Sequence, residues 1–477
     1  MDTLFRVKFN WGVYIILIIF IRLVWPGLSW FSFFALAITL HQFLLLFYSI
    51  GAVIPIRYLA GSFMCLQMFV GPVLAFNGLD AYQTDPVYRM KVPETEYFTY
   101  VLPAVILFIA GLHINAGKLK GEVLNEKEIV RFVDRVGKLP LVFIGVGFIS
   151  GFVSDMAGSE FGFVFYLLSG FKFIGLFMLL LSSKQLNTWA LVLVFGSIII
   201  TTLQSAMFHD FLTWLIMLGA VLAIKYKPGT TLKAFAAAGF ILLAVTIQQV
   251  KGDYRKAAYT GSGGGAGLAS FENAVNGGTE KKSLFSFANL AESNVRINQG
   301  FIVTNIMRNI PANMPYSNGE ELYQILEAAF LPRILAPDKL NAGDRTIFTK
   351  YSAIPLQPGT SMALSSVGDA YINFGVLGGC ILMFCLGLLF SLVLNGFYKL
   401  SKFYPFLLLF TPLVFYYPIR PDCELQTLLG HLVKSCMLIY VMLIFWKKDL
   451  SKVISKKREV AKASTTPTLA GPSFRAL

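Results

Sequence analysis

Apolar runs recur along this chain at lengths that match a bilayer crossing, about 20 residues each. They pause for one polar stretch, Lys251 to Ser365, about 115 residues long. The runs fall at roughly 10–25, 29–54, 58–76, 97–116, 139–155, 161–181, 188–207, 209–225, 233–250, 367–396, 404–419 and 425–446. The pattern predicts an all-α polytopic membrane protein of about twelve transmembrane helices with one large loop. Residues 1–250 form a transmembrane bundle of about nine spans, 251–365 the loop, 366–446 a bundle of about three spans, and 447–477 a basic tail. The tail turns Ser/Thr/Pro-rich after its lysines, a composition that predicts disorder. Inside the loop, Leu322, Ile325, Leu326, Ala329 and Phe330 keep helical spacing. They predict an amphipathic helix from about Gly319 to just before Pro332, resting on the outer membrane surface or on the rims of neighbouring spans. Gly261 to Gly267 (GSGGGAG) reads as a flexible linker dividing Lys251–Thr260 from Ser270–Ser365.

Charge orients the bundle. Lys118, Lys120, Lys127, Arg131, Arg135 and Lys138, then Lys184, then Lys225, Lys227 and Lys233, then Lys399 and Lys402, and the lysines of the tail all fall on one side. The other side carries Asp80, Asp85, Glu94, Glu96, Asp155, Glu160, Asp422 and Glu424. By the positive-inside rule both termini are cytoplasmic and the loop is outside. Composition agrees with a membrane protein: 56% of residues are hydrophobic, 14% charged, and mean hydropathy is +0.66. The net charge of +14 would suit nucleic acid in a soluble chain. Here the basic residues flank spans, where they meet anionic headgroups instead. Cys65, Cys380, Cys385 and Cys436 lie in apolar runs and Cys423 stands alone in a short connector, so no disulfide framework or metal site is expected. The first apolar run leads straight into others, so no cleavable signal peptide is expected.

The chain lacks GxGxxG after a strand, GxxxxGK[ST], HExxH and CxxC, which removes the common nucleotide, phosphate-loop, zinc and redox chemistries. What the outer face offers is cations. A guanidinium grips phosphate oxygens with a planar fork and stays charged at any relevant pH. Arg255, Arg296, Arg308, Arg333, Lys339 and Arg345 are therefore candidates for holding a diphosphate. The bland reading is a solvated loop, since the stretch holds nine acids against eleven Lys and Arg. Asp369 opens the tenth span and is a candidate general base, the alternative being an acid that favours a helix dipole. Asn373 follows one turn later. His209-Asp210 opens the eighth span, and Arg420, Asp422 and Glu424 form a short outer turn before the last. His431 and Lys434 share one face of that last span, where a structural polar pair is the plainer reading.

Gly319-Glu320-Glu321-Leu322, Leu331-Pro332-Arg333-Ile334-Leu335-Ala336-Pro337-Asp338-Lys339, Thr360 to Ser366 and Gly368-Asp369-Ala370-Tyr371-Ile372-Asn373-Phe374-Gly375 resemble the O-antigen polymerase (Wzy-type) family of bacterial oligosaccharide repeat-unit polymerases. That family carries PR-x-L-x-P-x-K late in a periplasmic loop and G-E-x-Y-x-N-F-G at the start of the next span. Asp369 stands where the family has Glu, and His209-Asp210 where it often has Arg. The resemblance implies a GT-C-like fold and metal-independent glycosyl transfer at the periplasmic face of the inner membrane. A polyprenyl-diphosphate-linked glycan would be the donor and a second lipid-linked repeat unit the acceptor. In that scheme Asp369, His209 and Arg333 are catalytic. Arg255, Arg296, Arg308, Lys339, Arg345, Asn373 and Arg420 bind substrate. No metal or cofactor is called for. The implied partners are lipid-linked oligosaccharides, membrane lipids and a chain-length regulator protein, not nucleic acid. The alternatives are an O-antigen ligase-like transferase and a transporter or flippase of lipid-linked sugars. A transporter expects inverted repeats and helices broken at the midplane, and no repeat is visible in the sequence.

Overall fold

The computed structural model describes residues 9–114, 126–154, 156, 158–183, 188–205, 208–260, 286–331, 336, 338–356 and 362–446. Among them the secondary structure is helical, and we number the helices in chain order. The first half holds α1 (Trp11–Val24), α2 (Trp30–Ser49), α3 (Ile56–Phe76), α4 (Glu94–His113), α5 (Glu126–Arg135), α6 (Leu139–Ser154), α7 (Gly158–Ser169), α8 (Phe171–Leu181), α9 (Thr188–Ser205), α10 (His209–Tyr226) and α11 (Thr230–Thr260). After these come α12 (Phe287–Ile297), α13 (Gly300–Asn309), α14 (Glu320–Phe330), α15 (Arg345–Ser352), α16 (Ser365–Ser401), α17 (Thr411–Val414) and α18 (Leu425–Phe445). The chain is a helical membrane protein.

Eight helical stretches among the described residues are long and apolar enough to cross a bilayer. They are α2, α3, α4, Gly162–Leu181 through α7 and α8, α10, Thr230–Ile247 of α11, α16 and α18. The pair α5–α6, bent by 78°, makes a ninth if it is one span. The other three apolar segments do fold as helices, over Trp11–Val24, Thr188–Gln204 and Pro405–Val414, but are shorter. The 14 residues of α1 reach about 21 Å at 1.5 Å per residue, less than the roughly 30 Å hydrocarbon thickness. By length and composition alone, eight or nine helices among the described residues qualify as crossings.

The spine of the bundle is the pairing of α4 with α16, and glycine makes it possible. A Cβ on Gly387 would collide with the Phe108 carbonyl, and one on Gly111 with the Phe384 carbonyl. In lipid the hydrophobic effect does not drive helices together, so close backbone approach at small residues carries the association. Tyr100 on α4 adds a buried hydrogen bond, its hydroxyl donating to the Val367 carbonyl at 2.6 Å.

The connectors read as basic gather at one end. Lys225 donates to the Leu180 and Ser182 carbonyls at 2.6 and 3.3 Å, Ser182 Oγ donates to Asp134 at 3.0 Å, and Lys233 donates to the Ile50 carbonyl. At the other end the polar stretch folds onto the helix termini. Its α13 is as buried as any span, with Phe301, Ile302, Val303 and Ile306 at 2% exposure or less. Helix α14 packs against α18, burying Ile325, Ala328 and Ala329, so it lies on the rim of a neighbouring span. Helix α11 runs past Lys251 and continues to Thr260. Gln248, Gln249, Lys251 and, past Gly252, Arg255, Lys256, Ala257 and Ala258 are good helix formers, and the glycine-rich run begins only at Gly261. The Gly261–Gly267 linker and the tail after Trp446 lie outside the described residues.

Gly387→Val should lower the melting temperature of the detergent-solubilised protein, and Gly111→Val likewise. Overpacking of this kind costs about 1–3 kcal/mol. Gly396→Val on the same helix meets open space and should melt as the parent does, as fluorescence-detected size exclusion after heating would record.

Candidate functional site

The first turns of α16 carry the motif from Gly368 to Gly375. Gly368 lets α13 approach, since a Cβ there would lie 2.7 Å from Ile306 Cδ1. Gly375 (φ 63, ψ −153) breaks the helix with the Tyr316 ring packed where a side chain would be. Asp369 and Asn373 then act on other helices. Asn373 Oδ1 accepts from Leu322 N and from Ser317 Oγ, both at 2.9 Å. Leu322 is in the first turn of α14, whose N-cap is Gly319 (φ 95) with no side chain to do that work. Asp369 Oδ2 accepts from Leu425 N at 2.6 Å, the first residue of α18, whose own N-cap Glu424 makes no side-chain cap bond. Two exposed-donor problems at helix N-termini are thus solved from one neighbouring helix. Asp369 is only 5% exposed, and Asn373 is fully buried with its amide oxygen taken up in holding α14.

Asp369 nevertheless lines a narrow cleft, partly open to solvent and with about 20 Å³ of free space, between α14, α15, α16 and the start of α18. Three more carboxylates line it: Glu321, Asp344 and Glu424. Glu424 Oε1 accepts from Gly343 N at 2.7 Å and Thr427 Oγ1 at 3.0 Å. Burial, with Asp344 adding to it, still pushes the Glu424 carboxyl above its ordinary value. Asp344 caps α15 through Thr346 N at 2.7 Å. Glu321 accepts from the Tyr351 hydroxyl and, at 3.1 Å, from Lys350 Nζ. Lys350 also donates to the Tyr351 hydroxyl at 2.9 Å and lies 4.5 Å from its ring centre. Burial followed by Glu321 raises the Tyr351 phenol, so it stays protonated. Among the described residues no group of His, Cys, Asp and Glu is placed to hold a metal ion.

Among the described residues, none of the predicted cations lines the Asp369 cleft. Arg333, and the side chain of Arg255, lie outside the described residues. Arg296 and Arg308 are exposed on α12 and α13, and Arg308 neighbours Lys91, whose ammonium burial and then Arg308 push below its usual range. Lys339 donates to the Ala328 and Leu331 carbonyls, so it caps the C-terminus of α14. Arg345, on the helix that walls the cleft, is exposed and donates to the Leu356 carbonyl at 2.8 Å.

Arg420 and His209 meet at a second polar centre instead. Arg420 Nη2 lies 3.1 Å from Asp422, its Nη1 3.8 Å from Asp210, and its guanidinium 5.2 Å from the centre of the Tyr417 ring. His209 Nε2 is 2.5 Å from Asp210 Oδ1. Burial alone would raise Asp422, but Arg420 reverses this and holds the carboxyl below its ordinary value. The Arg420 fork is therefore engaged by the protein's own carboxylates, and His209 by Asp210. Neither lines the Asp369 cleft. The turn from Arg420 to Glu424 links the two centres.

A family model described as a domain of unknown function, DUF8712, matches residues 107–416. The chain belongs to this family. The DUF8712 match takes in α13 to α16, and with them Glu321, Asp344, Tyr351, Asp369 and Asn373, and ends before Glu424 and α18. No curated protein and no solved structure matches the chain. Sequence reading had quoted Glu321 and Glu424 without assigning them a site. Lys350 and Tyr351 carry no motif, and the N-cap pattern Asp344-Arg345-Thr346 was the one available signal for their helix.

Asn373→Ala should destabilise α14 by about 1–3 kcal/mol, because it strips the acceptor from Leu322 N and Ser317 Oγ. Hydrogen exchange should rise over Glu320–Phe330 in the variant while α4 stays protected. Unchanged exchange in α14 would show that its packing on α18 suffices.

Proposed function

We propose that this protein polymerises polyprenyl-diphosphate-linked oligosaccharide repeat units at the periplasmic face of a bacterial inner membrane. The cleft at Asp369 is the place of reaction, and both termini are cytoplasmic. What carries the reading is the position of that cleft: a carboxylate-lined space at the mouth between the apolar helices α16 and α18, to which Glu321 and Asp369 come from stretches that resemble the Wzy-type polymerases. Lipid-linked substrates present their sugars at such a boundary while their tails stay in the bilayer. Of the two Asp369 oxygens, Oδ2 holds Leu425 N and Oδ1 is free to take the proton of an attacking sugar hydroxyl. As the new glycosidic bond forms at the donor anomeric carbon, the bond to the diphosphate breaks and the diphosphate departs with the bond pair. Arg345 and Lys350, exposed on the helix that walls the cleft, are the cations we assign to that charge.

Asp369→Asn keeps an oxygen for Leu425 N but removes the charge. It should cut chain extension by purified protein at least a hundredfold, the usual scale for a general base, at unchanged melting temperature. Asp369→Glu should retain part of the activity. Normal extension by the Asn variant would leave Asp369 a helix cap and nothing more. A strain lacking the gene should accumulate single lipid-linked repeat units. Long lipid-linked chains would mark a ligase instead.

The orientation has its own check. A reporter active only in the periplasm should be active when fused near Ser270 and silent near Lys127. The inverse result would place the cleft on the wrong side for flipped substrate and end this reading.

A further inference from the structure

We infer that the edge between α6 and α8 docks a membrane helix of a different protein, one that brings a carboxylate to Lys172. Lys172 stands halfway along the span Gly162–Leu181, ten residues after its start and nine before its end. At 1.5 Å per residue that is about 15 and 14 Å of helix, so neither headgroup layer is near. Lysines close to helix ends snorkel to the interface, and this one is close to neither end. Two glycine contacts hold it there. A Cβ on Gly147, in the middle of α6, would lie 2.4 Å from Lys172 N, and one on Gly175 would lie 2.4 Å from the Pro140 carbonyl oxygen. With the backbones in contact, α6 and α8 cannot slide, and the lysine keeps its depth.

What surrounds the ammonium does not answer it. Its Nζ lies 5.3 Å from the centre of the Phe148 ring and 5.5 Å from that of Phe173. Among the described residues it has no hydrogen bond and no ion pair, whereas Lys225 is met by carbonyls and Arg420 by carboxylates. Ring faces offset part of what a cation costs in hydrocarbon, but they leave its three N–H donors without acceptors. The site is also open. All of α8 is buried except Lys172 and Leu179, which are half-exposed and seven residues apart. That spacing puts them on one face, the stripe by which helices pack at a shallow angle. On α6, Phe148 is half-exposed and Ile149 and Phe152 are exposed. Lipid tails against this edge offer the ammonium nothing, and a helix with an acid at mid-span offers both charge and acceptors. A second copy of this chain cannot supply that acid. In the eight stretches long enough to cross, the acids are Glu94, Glu96, Asp210 and Asp369, all in the first two turns of their helices.

Synthetic leucine-rich helices of about 20 residues, differing only at the central position, test this by energy transfer to the full chain in lipid vesicles. The central-Glu helix should bind about tenfold more tightly than the central-Leu helix, the scale of one charge-assisted contact. The central-Lys helix should bind no better than the Leu one. Lys172→Met should erase the preference and Lys172→Glu should turn it toward the central-Lys helix, with melting temperatures reporting that both variants fold. If neither folds, a photoreactive residue beside the peptide's glutamate locates the contact on the parent chain, and adducts outside α6 and α8 overturn the inference. Equal binding of the Glu and Leu helices overturns it, as does a preference that survives Lys172→Met. A water-filled crevice is the other way to satisfy a lysine at this depth. Lys172→Cys should therefore take up no more of a membrane-impermeant maleimide than the parent chain does. Extra labelling would show the ammonium to be hydrated and end the case for a partner helix.

Discussion

Everything at the polar end of this protein depends on backbone N–H groups that their own helices leave unpaired. Helix α14 starts at a glycine and α18 at a glutamate turned elsewhere, so neither caps itself. Asn373 and Asp369, four residues apart on α16, supply the missing acceptors. One helix face thereby fixes the positions of two other helices, and the space left between them is the cleft. A buried N–H without a partner is expensive, so the arrangement is held tightly even though the surrounding chain is irregular.

The same geometry explains how much could be read beforehand. Helical class and membrane residence were legible because apolar length and 3.6-residue periodicity are local properties. The limits of α14 were legible too, since Gly319 and Pro332 punctuate it. The number of crossings was less so, because an apolar run such as Trp11–Val24 can be helical yet too short to cross a bilayer upright. Asp369 and Asn373 stood out in sequence, but their partners Leu425 and Leu322 are distant along the chain. Nothing local says that a carboxylate will cap a helix 56 residues away.

The cations were less legible. Arg420 answers Asp422 and Asp210 within the fold. Lys339 closes the end of α14 in the same inward fashion. A cation's sequence neighbours do not reveal whether the fold has already provided it with an anion. The acids, by contrast, were spread over four separate segments and only the fold gathers them into one wall.

The break at Gly375 has a mechanical consequence. Below it α16 is a long apolar rod locked to α4. Above it is a short stub bearing the two capping residues. A rod in a bilayer tilts as the hydrocarbon thins or thickens, and an unbroken helix would carry that tilt straight into the caps. With the backbone turned at one glycine, the stub answers to α13, α14, α18 and the Tyr100 hydroxyl of α4, so a tilt of the rod reaches the caps through α4 rather than along one continuous helix.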